Sequence, residues 1–313
     1  MEIGATTKLY GSYKSNLSTR WGDLDISVEV CGDTSLSRKQ KIGYLDDLCK
    51  TLSTKDEFTT IEVRRRAVVP IINMESRENI SIDISISSRS GVLQSFLLFQ
   101  LTQLDARFTD VVLLLKEWIK VKGITNRYNR KLSSYPLYLM VIFHFQTCEP
   151  PIFPPLKDLY KGNLAKDIEA SRLDETDFYL QLPQKVAKIR SKITNNSSTV
   201  YDLLLTFFEK FSTIGTMGNQ FVLCTYTGGW ERKTNNHVWD ISYPLFVEDP
   251  FDRPKNAART ISGEHAKSIQ DACIETLRNI KAADDDNIMV ASQLVGPELI
   301  KELKEKFPRH FVS

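Results

Sequence analysis

Two stretches of this chain alternate apolar and polar side chains with the period of a strand. Around GDLDISV, Leu24, Ile26 and Val28 share one parity, and Asp23, Asp25 and Ser27 share the other. In NISIDISIS, residues 79–87, Ile80, Ile82, Ile84 and Ile86 oppose Ser81, Asp83, Ser85 and Ser87. Residues two apart in a strand point the same way, so each stretch predicts an apolar face for a core and a polar face bearing carboxylates. Residues 58–74 are rich in β-branched side chains and predict one or two further strands, with Pro70 at an edge, bulge or boundary. Residues 36–54 instead place Ile42, Leu45, Leu48 and Leu52 near helical spacing.

Helical character takes over from about residue 90. Residues 104–123 carry Phe108, Val111, Val112, Leu115, Trp118 and Ile119 on one face, with Asp105 as N-cap and Gly123 as stop. Lys116 and Lys120, four apart, also share a face. Residues 131–148 predict a helix capped by Ser133 or Ser134, with Pro136 in its first turn. From Leu137 to Phe145 it is apolar nearly all round and therefore buried, and His144 reads as a satisfied core histidine. Prolines in 149–156 end it; 164–200 is polar and helix-prone, and 199–213 is a further helix. Residues 219–252 return to strand and loop character, with a turn at Gly228-Gly229. In the tail, Ile269, Cys273, Leu277 and Ile280 form one apolar stripe and Leu299, Ile300, Leu303 and Phe307 another, with Asp284–Asp286 between them as a solvated loop.

A length of 313 residues suffices for two domains. The net charge of +2 means that any nucleic-acid contact must come from a local patch. Arg64, Arg65 and Arg66 are a candidate, read equally well as a phosphate or RNA contact and as a solvated strand end. No apolar run is long enough to span a membrane, and residues 1–20 lack the apolar core of a signal peptide. Five scattered cysteines without a C-x-x-C pair suggest reduced thiols and a cytoplasmic or nuclear protein. The four histidines are far apart, so a zinc site is not expected.

The chemistry concentrates early. Asp23 and Asp25 aim two carboxylates at one spot, an arrangement that repels unless a cation sits between them. Hard divalent ions such as Mg2+ are bound by one or two carboxylates plus substrate phosphates. Ten residues upstream, Gly11-Ser12 supplies a turn without a β-carbon, a hydroxyl, and backbone N–H groups able to approach a phosphate. Asp83 adds a third carboxylate on a strand of its own.

GSYKSNLSTRWGDLDISV resembles the signature of DNA polymerase beta-like nucleotidyltransferases, and more narrowly the noncanonical poly(A) and poly(U) polymerases. Among these the run most resembles plant terminal uridylyltransferases that tail unmethylated small RNAs. The resemblance implies an α/β (α+β) fold in two lobes. Residues 1–88 would be the catalytic lobe and 89–313 a helical central lobe, with the nucleotide in the cleft between them. It implies a catalytic and metal-binding triad of Asp23, Asp25 and Asp83, holding Mg2+ or Mn2+. Gly11 and Ser12 would bind the nucleotide. LDARF followed by LLLKEWIKVKGI resembles the helix that leads Lys116 and Lys120 to a triphosphate. The L-S-S-Y motif would give Ser134 to phosphate and Tyr135 to a stack on uracil. PLFVEDPFDRPKNAAR, 244–259, resembles the nucleotide recognition motif, with Asp249 holding the base loop and Asn256 after it.

Lys255 stands where some members carry a base-selecting histidine, and Gln94 falls near a position that usually holds a sugar-contacting asparagine. UTP and ATP therefore both stay open as substrates, and an RNA-binding pseudoenzyme is the third reading. The implied partners are an RNA 3′ end, UTP and small-RNA effector proteins such as Argonaute, with a monomer expected and no membrane. Family members usually have a helix or more before the Gly-Ser motif, so part of the platform under the site is expected to be missing. The long Gln- and Pro-rich tail of plant relatives is also absent.

Overall fold

The computed structural model describes residues 4–30, 36–124, 132–191, 196–282, 294–296 and 301. In chain order the elements are β1 (Ala5–Tyr10), α1 (Gly11–Lys14), β2 (Leu24–Val30), α2 (Arg38–Leu52), β3 (Phe58–Arg64), β4 (Ile71–Ser76), β5 (Ser81–Ile86) and α3 (Arg89–Thr102). They continue with α4 (Ala106–Val121), α5 (Ser134–Thr147), α6 (Leu164–Glu169), α7 (Glu175–Arg190), α8 (Val200–Phe211) and α9 (Ile214–Gln220). Last come β6 (Phe221–Cys224), β7 (Gly229–Arg232), β8 (Phe246–Val247) and α10 (Gly263–Ala282). The α/β expectation is met. The chain divides into two compact units, Met1–Leu104 with Leu164–Val186, and Asp105–Asn163 with Ala187–Ser313. The first unit thus runs past residue 88 through α3 and takes in a stretch from mid-chain.

The first unit is built on a five-stranded sheet in the order β1-β2-β5-β4-β3. β2 and β5 are parallel; the other neighbours are antiparallel. Its apolar face follows the alternation: Ile26, Val28, Ile82, Ile84 and Ile86 pack with Ile72, Met74 and Leu45 of α2. Full burial of a side chain such as Leu45 contributes roughly 1.5–3 kcal/mol. α2 begins with a capping box between Ser37 and Gln40.

The other face departs from the solvated face that alternation suggests. Ser27 and Ser85 are fully buried. The buried hydroxyls are satisfied there: Ser88 N–H donates to Ser27 Oγ (2.8 Å), and Ser85 Oγ shares a hydrogen bond with the Tyr10 hydroxyl (3.1 Å). The Arg64–Arg66 run also divides. Arg65 pairs with Asp46 of α2 at 2.5 Å, and Arg64 turns to Asn73 of β4.

The second unit is mostly helical, around the wholly apolar α5. Phe108 packs edge to face with Phe145 and Phe153, and Phe207 meets Phe208 edge-on and Phe211 at a tilt. Trp118 donates to Thr276 Oγ1 (2.8 Å), joining α4 to α10. A small sheet in the order β7-β6-β8 completes the unit. Asp105 caps α4 by accepting from Arg107 N–H, and Gly123 ends it at φ +62°. His144 is buried as expected, yet only its Nε2 meets a partner, Thr206 at 3.4 Å; Nδ1 has none. Burial and nearby Lys210 push its pKa down to about 3, so the ring is neutral.

The stripe at Leu299, Ile300, Leu303 and Phe307, and Asp284–Asp286, lie outside the described residues. Among the described residues, no helix is long and apolar enough to cross a membrane.

Candidate active site

The Gly-Ser turn is fixed by what lies against it. Gly11 takes φ +71°, and a β-carbon there would fall 1.8 Å from Asp25 Oδ2. Its N–H donates to Ser95 Oγ of α3 at 2.7 Å. Gly11 therefore makes room for a carboxylate, and its N–H is held by Ser95. Ser12 follows in α1, half-buried, with its carbonyl accepting from Leu17 N–H (2.9 Å).

The sheet register aligns the chemistry. Tyr10 pairs with Asp25, Asp25 with Asp83, and Asp83 with Asn73, so these four residues form one row across β1, β2, β5 and β4. Partners in register project from the same face. Asp25 and Asp83 are half-buried neighbours on parallel strands. Asn73 Nδ2 donates to Asp83 Oδ1 at 2.7 Å, and Arg64 Nη2 donates to Asn73 Oδ1 at 2.7 Å. Burial, with the charges of Asp25 and Asp83, raises the Tyr10 pKa, so its phenol stays protonated. Asp23 is exposed, one residue ahead of β2 and outside the ladder. The register thus pairs Asp25 with Asp83, and Asp23 lies just outside the ladder.

Among the described residues, no three His, Cys, Asp or Glu side chains gather closely enough to hold an ion by themselves. The donors present still fit a hard divalent cation. Two register-paired carboxylates offer only oxygen, and like charges directly opposite are destabilising without a counter-ion.

In the second unit the other predicted residues fall on α4, α5 and the loop after β8. Lys116 Nζ lies 3.4 Å from the Tyr138 hydroxyl and 5.8 Å from that ring's centroid; Lys120 is exposed in the last turn of α4. Ser133 occupies the N-cap of α5 without a capping side-chain bond, and Ser134 is exposed as its first residue. The Tyr135 hydroxyl donates to Asp249 Oδ1 (2.8 Å), which also accepts from Phe251 N–H (3.0 Å). Burial first, then the Asp249 charge, holds the Tyr135 pKa well above its ordinary value, so it remains a donor. Burial raises the Asp249 pKa, against the pull of those two hydrogen bonds.

Glu248, one residue earlier, is buried and accepts from Trp239 Nε1 (3.0 Å) and Cys224 Sγ (3.1 Å). Lys255 pairs with Asp252 at 2.6 Å on the loop surface.

Asn256 is buried, its Oδ1 accepts from Val247 and Ala258 N–H, and its Nδ2 donates to Leu245 C=O (3.0, 2.8 and 2.9 Å). These three bonds clamp the loop from inside. Asn256→Leu leaves three backbone groups unpaired, and is expected to cost about 3 kcal/mol or more. A melting curve should show a fall of roughly 6–12 °C. An unchanged melting temperature would show that the clamp contributes nothing to the fold.

Sequence reasoning missed Asn73, Ser95 and Tyr10. Each acts through a partner 10 to 84 residues away, and only strand register and the seating of α3 reveal the pairing.

The family model for the central palm domain of mitochondrial-like poly(A) RNA polymerase matches residues 3–103. Protein HESO1 of Arabidopsis thaliana is 38% identical over 295 residues, covering 92% of this chain and 58% of that protein. Poly(A) RNA polymerase gld-2 homolog A of Drosophila melanogaster is 28% identical over 302 residues, covering 89% of this chain and 21% of that protein. This chain thus spans less than two thirds of both relatives. The solved structure of a cytoplasmic RNA terminal U-transferase superposes with a TM-score of 0.70 at 24% identity, covering 93% of this chain and 86% of that one.

Proposed function

We propose that this chain is a noncanonical poly(A)/poly(U) polymerase of the template-independent RNA 3′-terminal uridylyltransferase type, a reading supported by its similarity to HESO1 and to the palm-domain family model. The observation that carries this reading is the register pairing of Asp25 with Asp83, against a glycine turn that has room for a carboxylate. The RNA 3′-hydroxyl attacks the α-phosphate of UTP in line, and pyrophosphate leaves. Asp25 and Asp83, with Asp23 joining from the strand's entrance, would hold Mg2+ or Mn2+. Such an ion supplies charge neutralisation at the phosphate and eases loss of the hydroxyl proton. We assign that proton to the Asp83 carboxylate. Lys116, Lys120 and Ser134 are assigned to the triphosphate. Ser12 is assigned to nucleotide binding. Tyr135 is assigned to stacking on the base, its ring half-exposed and its hydroxyl anchored on Asp249.

The RNA in this reading is a small RNA or cleavage fragment, marked for decay. The protein acts as a monomer in the cytoplasm or nucleus, with small-RNA effector proteins such as Argonaute as candidate partners. One observation favours ATP as a second reading: Lys255, at the place of the base-selecting histidine, is paired with Asp252. An RNA-binding pseudoenzyme fits less well, since Asp25 and Asp83 are both retained and adjacent. Extension of one labelled RNA with each of the four nucleoside triphosphates separates the three. Uridine addition that depends on a divalent ion is expected. Preferential adenosine addition moves the assignment to poly(A) polymerase, and no addition with any nucleotide leaves the pseudoenzyme.

A further inference from the structure

We infer that Asn73, held by Arg64, is the positioning residue for the Asp83 carboxylate. This rests on the proposed role of Asp83. Asn73 faces Asp83 across the β4–β5 ladder and Glu62 across the β3–β4 ladder. Its amide bridges two charged groups, donating to Asp83 Oδ1 and accepting from Arg64 Nη2, each at 2.7 Å. A guanidinium can only donate and an ionised carboxylate can only accept. The amide therefore has a single orientation, and flipping it would break both bonds. Both are charge-assisted, and each polarises the amide in the direction the other needs.

The consequence is mechanical. With Oδ1 held, rotation of the Asp83 carboxylate about its Cβ–Cγ bond is arrested. Arg64 is itself steadied by Glu62 at 3.6 Å, while its neighbour Arg65 is drawn away to Asp46. The first arginine of the basic run is thus turned inward to the carboxylate row rather than outward to RNA. Asparagine is depleted from strand interiors, so its place in mid-strand runs against local propensity. Groups that orient a metal-binding side chain in this way typically account for 10–100-fold in affinity or activity.

The test uses the full chain and four variants: Asp83→Ala, Asn73→Leu, Arg64→Met and Arg64→Lys. Readouts are kcat and KM for UTP on a labelled RNA, Mn2+ binding by electron paramagnetic resonance, and melting temperature. Asn73→Leu is expected to lower kcat about 10–100-fold, keep KM for UTP within about twofold, and weaken Mn2+ binding about tenfold. Arg64→Met should move the same way by less, and Arg64→Lys, which keeps a donor, should recover most of the loss. If Asn73→Leu does not fold, Asn73→Thr, a good strand former, carries the same expectations. Wild-type kcat or unchanged Mn2+ affinity at position 73, with Asp83→Ala inactive, overturns the positioning role and leaves the proposed function standing. Activity retained in Asp83→Ala overturns the role of Asp83 itself, and this inference with it.

Discussion

Asp25→Ala is expected to lose nucleotide addition by about 10³-fold or more while melting no lower than the parent chain. The two halves of that expectation have different origins. Asp25 faces Asp83 in register on a parallel neighbour, and like charges so placed repel. Removing one carboxylate relieves the repulsion, so the fold does not suffer. The chemistry does, because the remaining carboxylate cannot hold a divalent ion in the same place. Extension of a labelled RNA and a melting curve on the same preparation check both halves. Retained activity removes Asp25 from the catalytic set; lost activity with a collapsed melting temperature shows only a damaged fold.

The second large effect is expected at Gly11. Gly11→Ala must put a β-carbon 1.8 Å from Asp25 Oδ2 and place a non-glycine residue at φ +71°. The backbone strain alone costs about 1–3 kcal/mol. The overlap forces the Asp25 carboxylate to move, and a displacement of about 1 Å at a reacting centre can cost about 10²-fold in rate. The distinguishing result is a loss of activity far larger than the loss of stability predicts. Asp25→Ala in the same background separates the causes. The double variant should recover the part of the stability lost to the clash, keep the backbone strain at position 11, and remain inactive. A Gly11→Ala protein with wild-type rate would show that the turn tolerates a side chain and that the carboxylate does not depend on it.

Much of the first unit was legible because strand alternation is local. The isoleucines of 80–86 and the aspartates of 23–25 announced an apolar and a polar face, and the face with Ile82, Ile84 and Ile86 is the one that packs on α2. Less legible was the depth of the polar face. Ser27 and Ser85 are serines on a strand, and nothing local says that both will be buried with Ser88 N–H and the Tyr10 hydroxyl as partners. The same limit applies to the acidic residues. Parity grouped Asp23 with Asp25, whereas hydrogen-bonding register grouped Asp25 with Asp83, because β2 begins only at Leu24. In the second unit, spacing located Lys116 and Lys120 on α4 and resemblance pointed to the loop after β8. The burial of Asn256, which makes it part of that loop's frame, is a tertiary property that the motif does not show.

That loop sets unequal costs of substitution on neighbouring residues. Its backbone is clamped from inside by Asn256 and anchored at Glu248 by Trp239 and Cys224. Lys255 is adjacent to the clamp in sequence, yet its side chain is 70% exposed and contributes only a surface ion pair. Exposed pairs of this kind are worth about 0–1 kcal/mol, so replacing Lys255 costs the fold almost nothing. Asn256, tied to three backbone groups, and Lys255, out on the surface, are therefore adjacent residues under opposite constraints: exchange at the first unsettles the loop, and exchange at the second leaves it standing.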